Sequence, residues 1–334
     1  MIKILELFGG IGAPRKALIN LGVDHKCIDY VEWQPNRVKA YNALYDHLHK
    51  PQDIRGWNLR PDILVHGSPC QDNSRGNKKR KGVAEGSRSQ LMLETLRIIK
   101  EMGEWKPKVV IWENVKGVLD KDVVSIFNYY LQEIENMGYT NSFDILDARN
   151  FGIPHARERL FCISLLGNSK FDFSKLKHRS MRNIKEFLEY EPDDKIPEQY
   201  LITIPSMLNK IKEFNPNPSG NYKRQLDVIG EYCYTITERQ DRCPNAGIIR
   251  LNKPQYRYLT ERECWRLLGF DDEDYELMLK EFPTKTGKRN ATLYALAGNS
   301  IVVQVLEAVF EVIINEGYGT DLISDSNGQL RLSC

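Results

Sequence analysis

The constraint that most narrows the fold of this chain is an alternation of two hydrophobic periods. Over roughly the first 165 residues, short apolar runs of strand character trade places with stretches whose apolar residues recur at helical spacing. The strand-like runs lie at 2–7, 27–32, 63–66, 109–112, 142–146 and 160–165, and the helical stretches at 14–21, 35–48, 89–102 and 122–137. Strand and helix in turn predict an α/β protein with a doubly wound, mostly parallel sheet, because a crossover helix returns the chain in the same direction. Such sheets bind ligands outside the carboxyl ends of their strands. The residues at those ends are Phe8-Gly9-Gly10-Ile11-Gly12, Glu32-Trp33, Ser68-Pro69-Cys70 and Glu113-Asn114-Val115.

Each of these clusters has a chemical and a plain reading. Cys70 follows an apolar run on a polar turn, whereas a packing thiol would sit inside the run. It reads as an attacking thiol or as an ordinary loop cysteine. Glycines at 9, 10 and 12 let backbone approach a ligand closely, although the G-x-G-x-x-G spacing of dinucleotide-binding sheets is absent. An acid at Glu32 suits ribose hydroxyls, and the indole of Trp33 can stack on a purine or simply pack.

Beyond Leu166 the pattern changes. Residues 168–230 are polar and weakly periodic, as in a smaller module of short strands and loops. Regular structure resumes at a helix with Thr260 as N-cap and Glu263 closing a capping box, ended by Gly269. A last helix is expected from near Ser300 through Ile313. The expected division is a large domain of 1–167 plus 285–334 and an inserted domain of 168–284.

Composition excludes several classes. No apolar run approaches the ~20 residues that span a bilayer, so no membrane partner is expected. The first strand begins at once and carries Glu6, which speaks against a signal peptide. Seven cysteines (27, 70, 162, 233, 243, 264 and 334) form no CxxC pair and no zinc-like grouping with histidine. That usage fits reduced thiols in a cytoplasm and no metal. Net charge is only +2, but residues 75–81 read R-G-N-K-K-R-K, five positive residues in seven. A second basic cluster holds Lys223, Arg224, Arg239, Arg242, Arg250, Lys253 and Arg257. Such runs are solvated loops or, beside a catalytic turn, a surface for a polyanion.

Six segments in order resemble the cytosine-5 DNA methyltransferase family, of bacterial or phage type. They are L-F-G-G-I-G (7–12), G-S-P-C-Q (67–71), E-N-V (113–115), F-G-I-P-H-A-R-E-R-L (151–160), L-T-E-R-E-C-W-R-L-L-G-F (259–270) and G-N-S-I-V (298–302). With Glu32-Trp33 and Asp53-Ile54 they span nearly the whole chain. The resemblance implies a Rossmann-like methyltransferase fold with a small inserted target-recognition domain. It implies S-adenosyl-L-methionine as methyl donor, S-adenosyl-L-homocysteine as product, and carbon 5 of a cytosine in duplex DNA as acceptor.

The resemblance also implies roles. Cys70 would attack carbon 6 of the cytosine as thiolate, which needs a positive neighbourhood because a free thiol has a pKa of ~8.5. Glu113 would bind the ring N3 and amino group and donate a proton, which requires a carboxyl kept protonated by burial. Arg159 would contact the cytosine O2, and Arg157 would hold the phosphate backbone and the catalytic loop. If extended chain starts by Arg157, the two arginines share a face. The family pattern has glutamine where this chain has His155. Phe8, Gly10, Ile11 and Gly12 would line the donor site, Glu32 would hold its ribose, and Trp33 would stack on adenine. Asp53 would accept from the adenine amino group beside Ile54, and Pro69, Asn299 and Ser300 would close the pocket.

For the nucleic acid, the glycine-punctuated loop 72–88 is expected to close on phosphates through Lys78, Lys79, Arg80 and Lys81. The target base must leave the stack, at a cost of about a few kcal/mol, and Ser74 and Arg88 are candidates for flanking the vacated space. Thr235 and Thr237 sit in a T-x-T segment of the kind found near recognition loops. Arg224, Arg239 and Arg242 would read guanine edges or clamp phosphates. The chain is expected to act as a monomer, with a cognate restriction endonuclease as a further partner. Three rivals stand beside this: a transfer-RNA cytosine-5 methyltransferase, a catalytically silent DNA-binding regulator, and a nicotinamide oxidoreductase.

Overall fold

The structure, a computed structural model, describes residues 1–54, 61–67, 91–211, 225–252 and 255–318, and the backbone of two short strands at 322–324 and 330–332. Its first unit runs β1 (Ile2–Leu7), α1 (Ala13–Asn20), β2 (His25–Val31), α2 (Pro35–Tyr45), β3 (Ile63–His66), α3 (Leu91–Glu101), β4 (Val109–Val115), α4 (Val124–Asn136) and β5 (Tyr139–Asp147). Then follow β6 (His155–Ala156) and β7 (Glu158–Leu166). Six strands form one sheet in the order β2-β1-β3-β4-β7-β5. β1, β2, β3 and β4 pair in parallel, and β7 runs antiparallel between β4 and β5. The link from β5 to β7 is too short for a helical crossover of about a dozen residues, so β7 must reverse. The expected doubly wound, mostly parallel sheet is present.

Alternate residues of the strands feed two cores. Leu5, Leu7, Leu64, Val110, Trp112 and Leu160 face α3 and α4, in one apolar cluster. Ile4, Ile63, Val65, Ile111 and Ile163 face the opposite way, with Ala17 and Leu18 of α1. β3 is buried along its whole length, as a central parallel strand covered on both faces must be.

His66 closes β3 toward the α4 face. It is fully buried, stacks on Trp112, and has Nε2 3.0 Å from the Tyr130 hydroxyl. Burial pushes its pKa down to about 3. The folded state therefore holds it neutral while the unfolded chain takes up a proton near pH 6.5. Its contribution to stability is complete above about pH 6.5 and is lost as pH falls toward 3, at up to about 1.4 kcal/mol per pH unit. A His66→Gln variant is expected to lose that slope between pH 6 and 4 in urea-unfolding series. Equal slopes in the two proteins would mean that His66 is not the proton acceptor.

Two stretches end differently from the sequence pattern. β4 continues past Trp112 to Val115 because β7 supplies partners there, pairing Glu113 with Phe161 and Val115 with Arg159. Glu113 thus stands on a paired strand and not on a free turn. The last helix starts at Val303, so Ser300 stays in a turn.

After β7 the described chain holds α5 (Pro205–Leu208), β8 (Cys233–Tyr234), β9 (Ile249–Arg250) and β10 (Tyr256–Arg257). It continues with α6 (Glu261–Arg266), α7 (Asp272–Glu281), α8 (Ala291–Gly298) and α9 (Val303–Asn315). β8 pairs with β6, and β9 with β10. Ile202, Ile211, Leu226, Ile248, Tyr256 and Tyr258 form a small apolar cluster of their own. The Thr260–Glu263 capping box forms as expected. α7 was not expected, though its own box of Asp271 and Asp274 was readable. Trp265 of α6 lies in the large core and donates Nε1–H to the Leu293 carbonyl at 3.0 Å. Lys16 of α1 bridges Asp271 and Asp274 at 2.6 and 2.7 Å, which ties α7 to the large unit.

α9 packs along α1, so the end of the described chain returns to the first strand. The run Ala291–Asn315 is, against the compositional expectation, apolar and long enough to cross a membrane. The turn at Asn299 and Ser300 splits it into α8 and α9, and 72% of its most apolar window is buried inside the protein.

Candidate active site

A cavity of about 440 Å³ opens at the carboxyl ends of β1 to β4. Phe8 and Gly10 line it from the turn after β1, and Glu32, Trp33 and Arg37 from the end of β2 and the start of α2. Asp53 and Ile54 add the next wall, followed by Gly67 after β3 and Glu113, Asn114 and Val115 of β4. Arg157, Arg159, Gly298 and Asn299 complete it. A smaller space of about 60 Å³ adjoins, lined among others by Glu6, Ile11, Gly67, Glu113 and Ser300.

The turn after β1 is tightly wound. Phe8 has φ +55°, a left-handed conformation that costs a bulky residue about 1–3 kcal/mol. Its N–H donates to the Val31 carbonyl at 2.8 Å, which holds the turn down. Gly12 has φ +76°, and a Cβ there would lie 2.5 Å from the Tyr45 ring. The Tyr45 hydroxyl donates to its carbonyl at 2.7 Å. Gly12 therefore faces the α2 aromatics and starts α1; it lines neither space.

Glu32 is buried, and its Oε1 accepts N–H bonds from Trp33 and Gln34, both at 3.0 Å. Its Oε2 meets Arg37 Nη1 at 3.3 Å. The first turn of α2, whose free amides favour a negative charge, thus holds the carboxylate in one orientation. Arg37 was missed by sequence reasoning, and its place five residues after an acid at a helix start was the available signal. The packing reading of Trp33 does not hold: the side chain is 62% exposed and borders the cavity.

Glu113 Oε1 lies 3.2 Å from Arg159 Nε. Burial raises the Glu113 pKa, against the opposing charges of Arg159 and Arg157. The carboxyl also sits against Gly67, where an added Cβ would come within 3.6 Å of Oε2. Glu113, Arg159 and Gly67 therefore meet at one edge of the cavity.

Arg157 differs from its expected place. It falls between β6 and β7, is 6% exposed, and donates to the carbonyls of Ile236 at 3.0 Å, Gly298 at 3.2 Å and Ser300 at 2.7 Å. These bonds brace the segment against the chain at Ile236 and at Gly298 and Ser300. Both arginines still border the cavity and both bear on Glu113, although Arg157 lies between the two strands and Arg159 within β7.

Of the other site candidates, Ile11 and Ser300 line the smaller space. The Thr235 hydroxyl donates to the Ala156 carbonyl at 3.0 Å, and that of Thr237 accepts from Asn245 at 3.4 Å. Both threonines thus secure their segment. Arg239 and Arg242 are exposed in the turn that follows. Pro69, Cys70, Ser74, Lys78, Lys79, Arg80, Lys81, Arg88 and Arg224 lie outside the described residues. Burial raises the thiol pKa of Cys27, Cys233 and Cys264, and pushes Cys162 up to about 12. None of the described cysteines lines the cavity, and no group of acids, histidines and cysteines among the described residues is arranged for a metal.

A family model described as C-5 cytosine-specific DNA methylase matches residues 2–315. The type II methyltransferase M2.ScrFI of Lactococcus lactis subsp. cremoris is 27% identical over 373 aligned positions, which cover 93% of this chain and 98% of the relative. The orphan methyltransferase M.SPRI of Bacillus phage SPR is 26% identical, covering 94% and 98%. Among solved structures, the S. pombe Dnmt2 methyltransferase superposes with a TM-score of 0.72 at 20% identity, over 94% of this chain and 99% of its own, a likeness of fold.

Proposed function

Since the chain belongs to the C-5 cytosine-specific DNA methylases, we propose that it methylates carbon 5 of an unstacked cytosine in a short duplex DNA sequence, with S-adenosylmethionine as donor. The observation that carries this reading is the meeting of two half-sites in one cavity. Glu32, Trp33 and Asp53 form one wall; Gly67, Glu113 and Arg159 form the other.

The residues of the first wall suit an adenosine. Glu32 offers a fixed carboxylate to ribose hydroxyls, Trp33 offers an uncovered indole face, and Asp53 offers an acceptor. The volume lies within the usual range for a ligand of that size. S-adenosylmethionine would supply an electrophilic methyl group there. On the second wall, Cys70 follows Gly67 by three residues, a tether of at most about 11 Å. Its thiolate adds to carbon 6 of the base. Glu113, kept protonated by burial, donates to N3 as negative charge moves onto the ring, and Arg159 steadies O2 while holding Glu113 in place. Carbon 5 then takes up the donor's methyl group, and loss of the carbon-5 proton, expulsion of the sulfur and return of the N3 proton to Glu113 restore the aromatic ring.

Sequence recognition is assigned to the inserted domain 168–284. Its reading elements are placed in the part with its own small apolar cluster, since α6 and α7 pack on the large unit. With this reading go a monomer acting in a bacterial or phage-infected cytoplasm and, for a type II setting like that of the named relatives, a cognate endonuclease.

Labelled methyl transfer to duplex DNA and to transfer RNA tests the reading. Label in 5-methylcytosine of DNA is expected; label confined to transfer RNA refutes it. A Trp33→Ala variant is expected to bind S-adenosylhomocysteine about tenfold more weakly, in line with about 1–3 kcal/mol for aromatic–base stacking. Its affinity for duplex DNA should stay within about twofold by calorimetry. Equal losses for the two ligands would count against stacking.

A further inference from the structure

The 155–157 segment makes contacts that the proposed chemistry does not use. The His155 ring is fully buried, with Nδ1 3.0 Å from the Leu267 carbonyl and Nε2 3.1 Å from the Ile236 amide nitrogen. A carbonyl only accepts and an amide N–H only donates, so the partners assign a neutral ring with its proton on Nδ1. Two residues on, Arg157 takes the carbonyl of the same Ile236 at 3.0 Å. One residue of the inserted domain is therefore held by both its backbone groups. The next peptide is wedged as well: a Cβ at Gly298 would lie 2.3 Å from the Thr237 carbonyl carbon and 2.6 Å from the Glu238 nitrogen.

We infer that His155 is a positioning residue: through Ile236 it sets the register of the 234–237 segment against Arg159 and the cavity, so that nucleic acid held by the inserted domain delivers its base to Glu113. This inference rests on the nucleic-acid reading above. The chemistry needed at this place is one donor and one acceptor about a ring's width apart. A glutamine side chain offers the same pair, and an apolar side chain of similar size offers neither. Burial and the neighbouring charges of Arg157 and Arg159 hold the pKa of His155 well below the ordinary value. Across the β6–β8 pair it faces Cys233, also a buried neutral group. Among the described residues, the Leu267 carbonyl alone favours its charged form.

Steady-state kinetics and calorimetry on the full chain test it with His155→Gln and His155→Leu. The leucine variant is expected to raise the KM for duplex DNA at least about tenfold, the scale of one lost buried hydrogen bond to an unpaired amide. Its affinity for S-adenosylhomocysteine should stay within about twofold, and the glutamine variant should restore KM to within about threefold of native. Glutamine behaving like leucine, an unchanged KM in the leucine variant, or parallel loss of both ligands would overturn the inference. Should the leucine variant not fold, nitrogen-15 spectra of the native protein decide. A neutral Nδ1–H ring from pH 8 to 5 and a slowly exchanging Ile236 amide are expected; a ring that titrates near 6.5 or carries its proton on Nε2 overturns it. The spectra need no substrate, so failure of this inference is distinguishable from an absence of DNA methylation, which would refute the functional reading.

Discussion

A Glu113→Gln variant is expected to transfer methyl groups ~10²–10⁴-fold more slowly than the native chain, the range for loss of a positioned general acid. Glutamine fills the same space and its amide oxygen can still accept from Arg159, so folding and S-adenosylhomocysteine binding should survive. What it cannot do is release a proton to N3 as the thiolate adds. The environment supports the acid role: the carboxyl is largely buried beside Gly67, and desolvation raises its pKa against the two arginines nearby. A raised pKa extends the protonated form upward in pH, and activity is lost as pH climbs through the folded pKa. The native rate should therefore fall on the alkaline side with a limb that the variant lacks. Single-turnover methyl transfer across pH reads both effects. A variant within threefold of native at every pH would remove Glu113 from proton transfer.

The second large effect is expected at Cys70. Cys70→Ser should abolish methyl transfer while duplex DNA and S-adenosylhomocysteine bind as before, because backbone contacts and base extrusion do not need sulfur. The attacking species is a thiolate, whose fraction at neutral pH depends on nearby positive charge. A serine hydroxyl in the same place stays protonated. The half-buried thiol at 27 and the buried thiols at 162, 233 and 264 have raised pKa values and do not line the cavity, so none can stand in. A duplex carrying 5-fluorocytosine should trap a covalent adduct with native protein and none with the variant. An adduct mapped to a different cysteine, or a serine variant of native activity, would reassign the nucleophile.

Much of the fold was legible in local pattern. Apolar runs placed β1 and β3 at their observed bounds, because these two central strands are almost wholly buried, and placed the remaining sheet strands to within a few residues. The Thr260–Glu263 box was legible because its partners are three residues apart. The motif order also brought Phe8, Glu32 and Glu113 to one cavity, since strand ends in a doubly wound sheet lie side by side.

What the chain determined by itself was therefore whatever neighbouring residues can dictate: hydrophobic period, caps, turn glycines, and the residue types at each strand end. Tertiary contacts alone decided the rest. Pairing with β7 carried Glu113 onto a strand; the carbonyls of Ile236, Gly298 and Ser300 took Arg157, while Arg159 met Glu113; the return of α8 and α9 brought Asn299 to the cavity. Each of these joins groups distant in sequence, and the energy of such a contact depends on which side chains fold against each other rather than on the period of either segment.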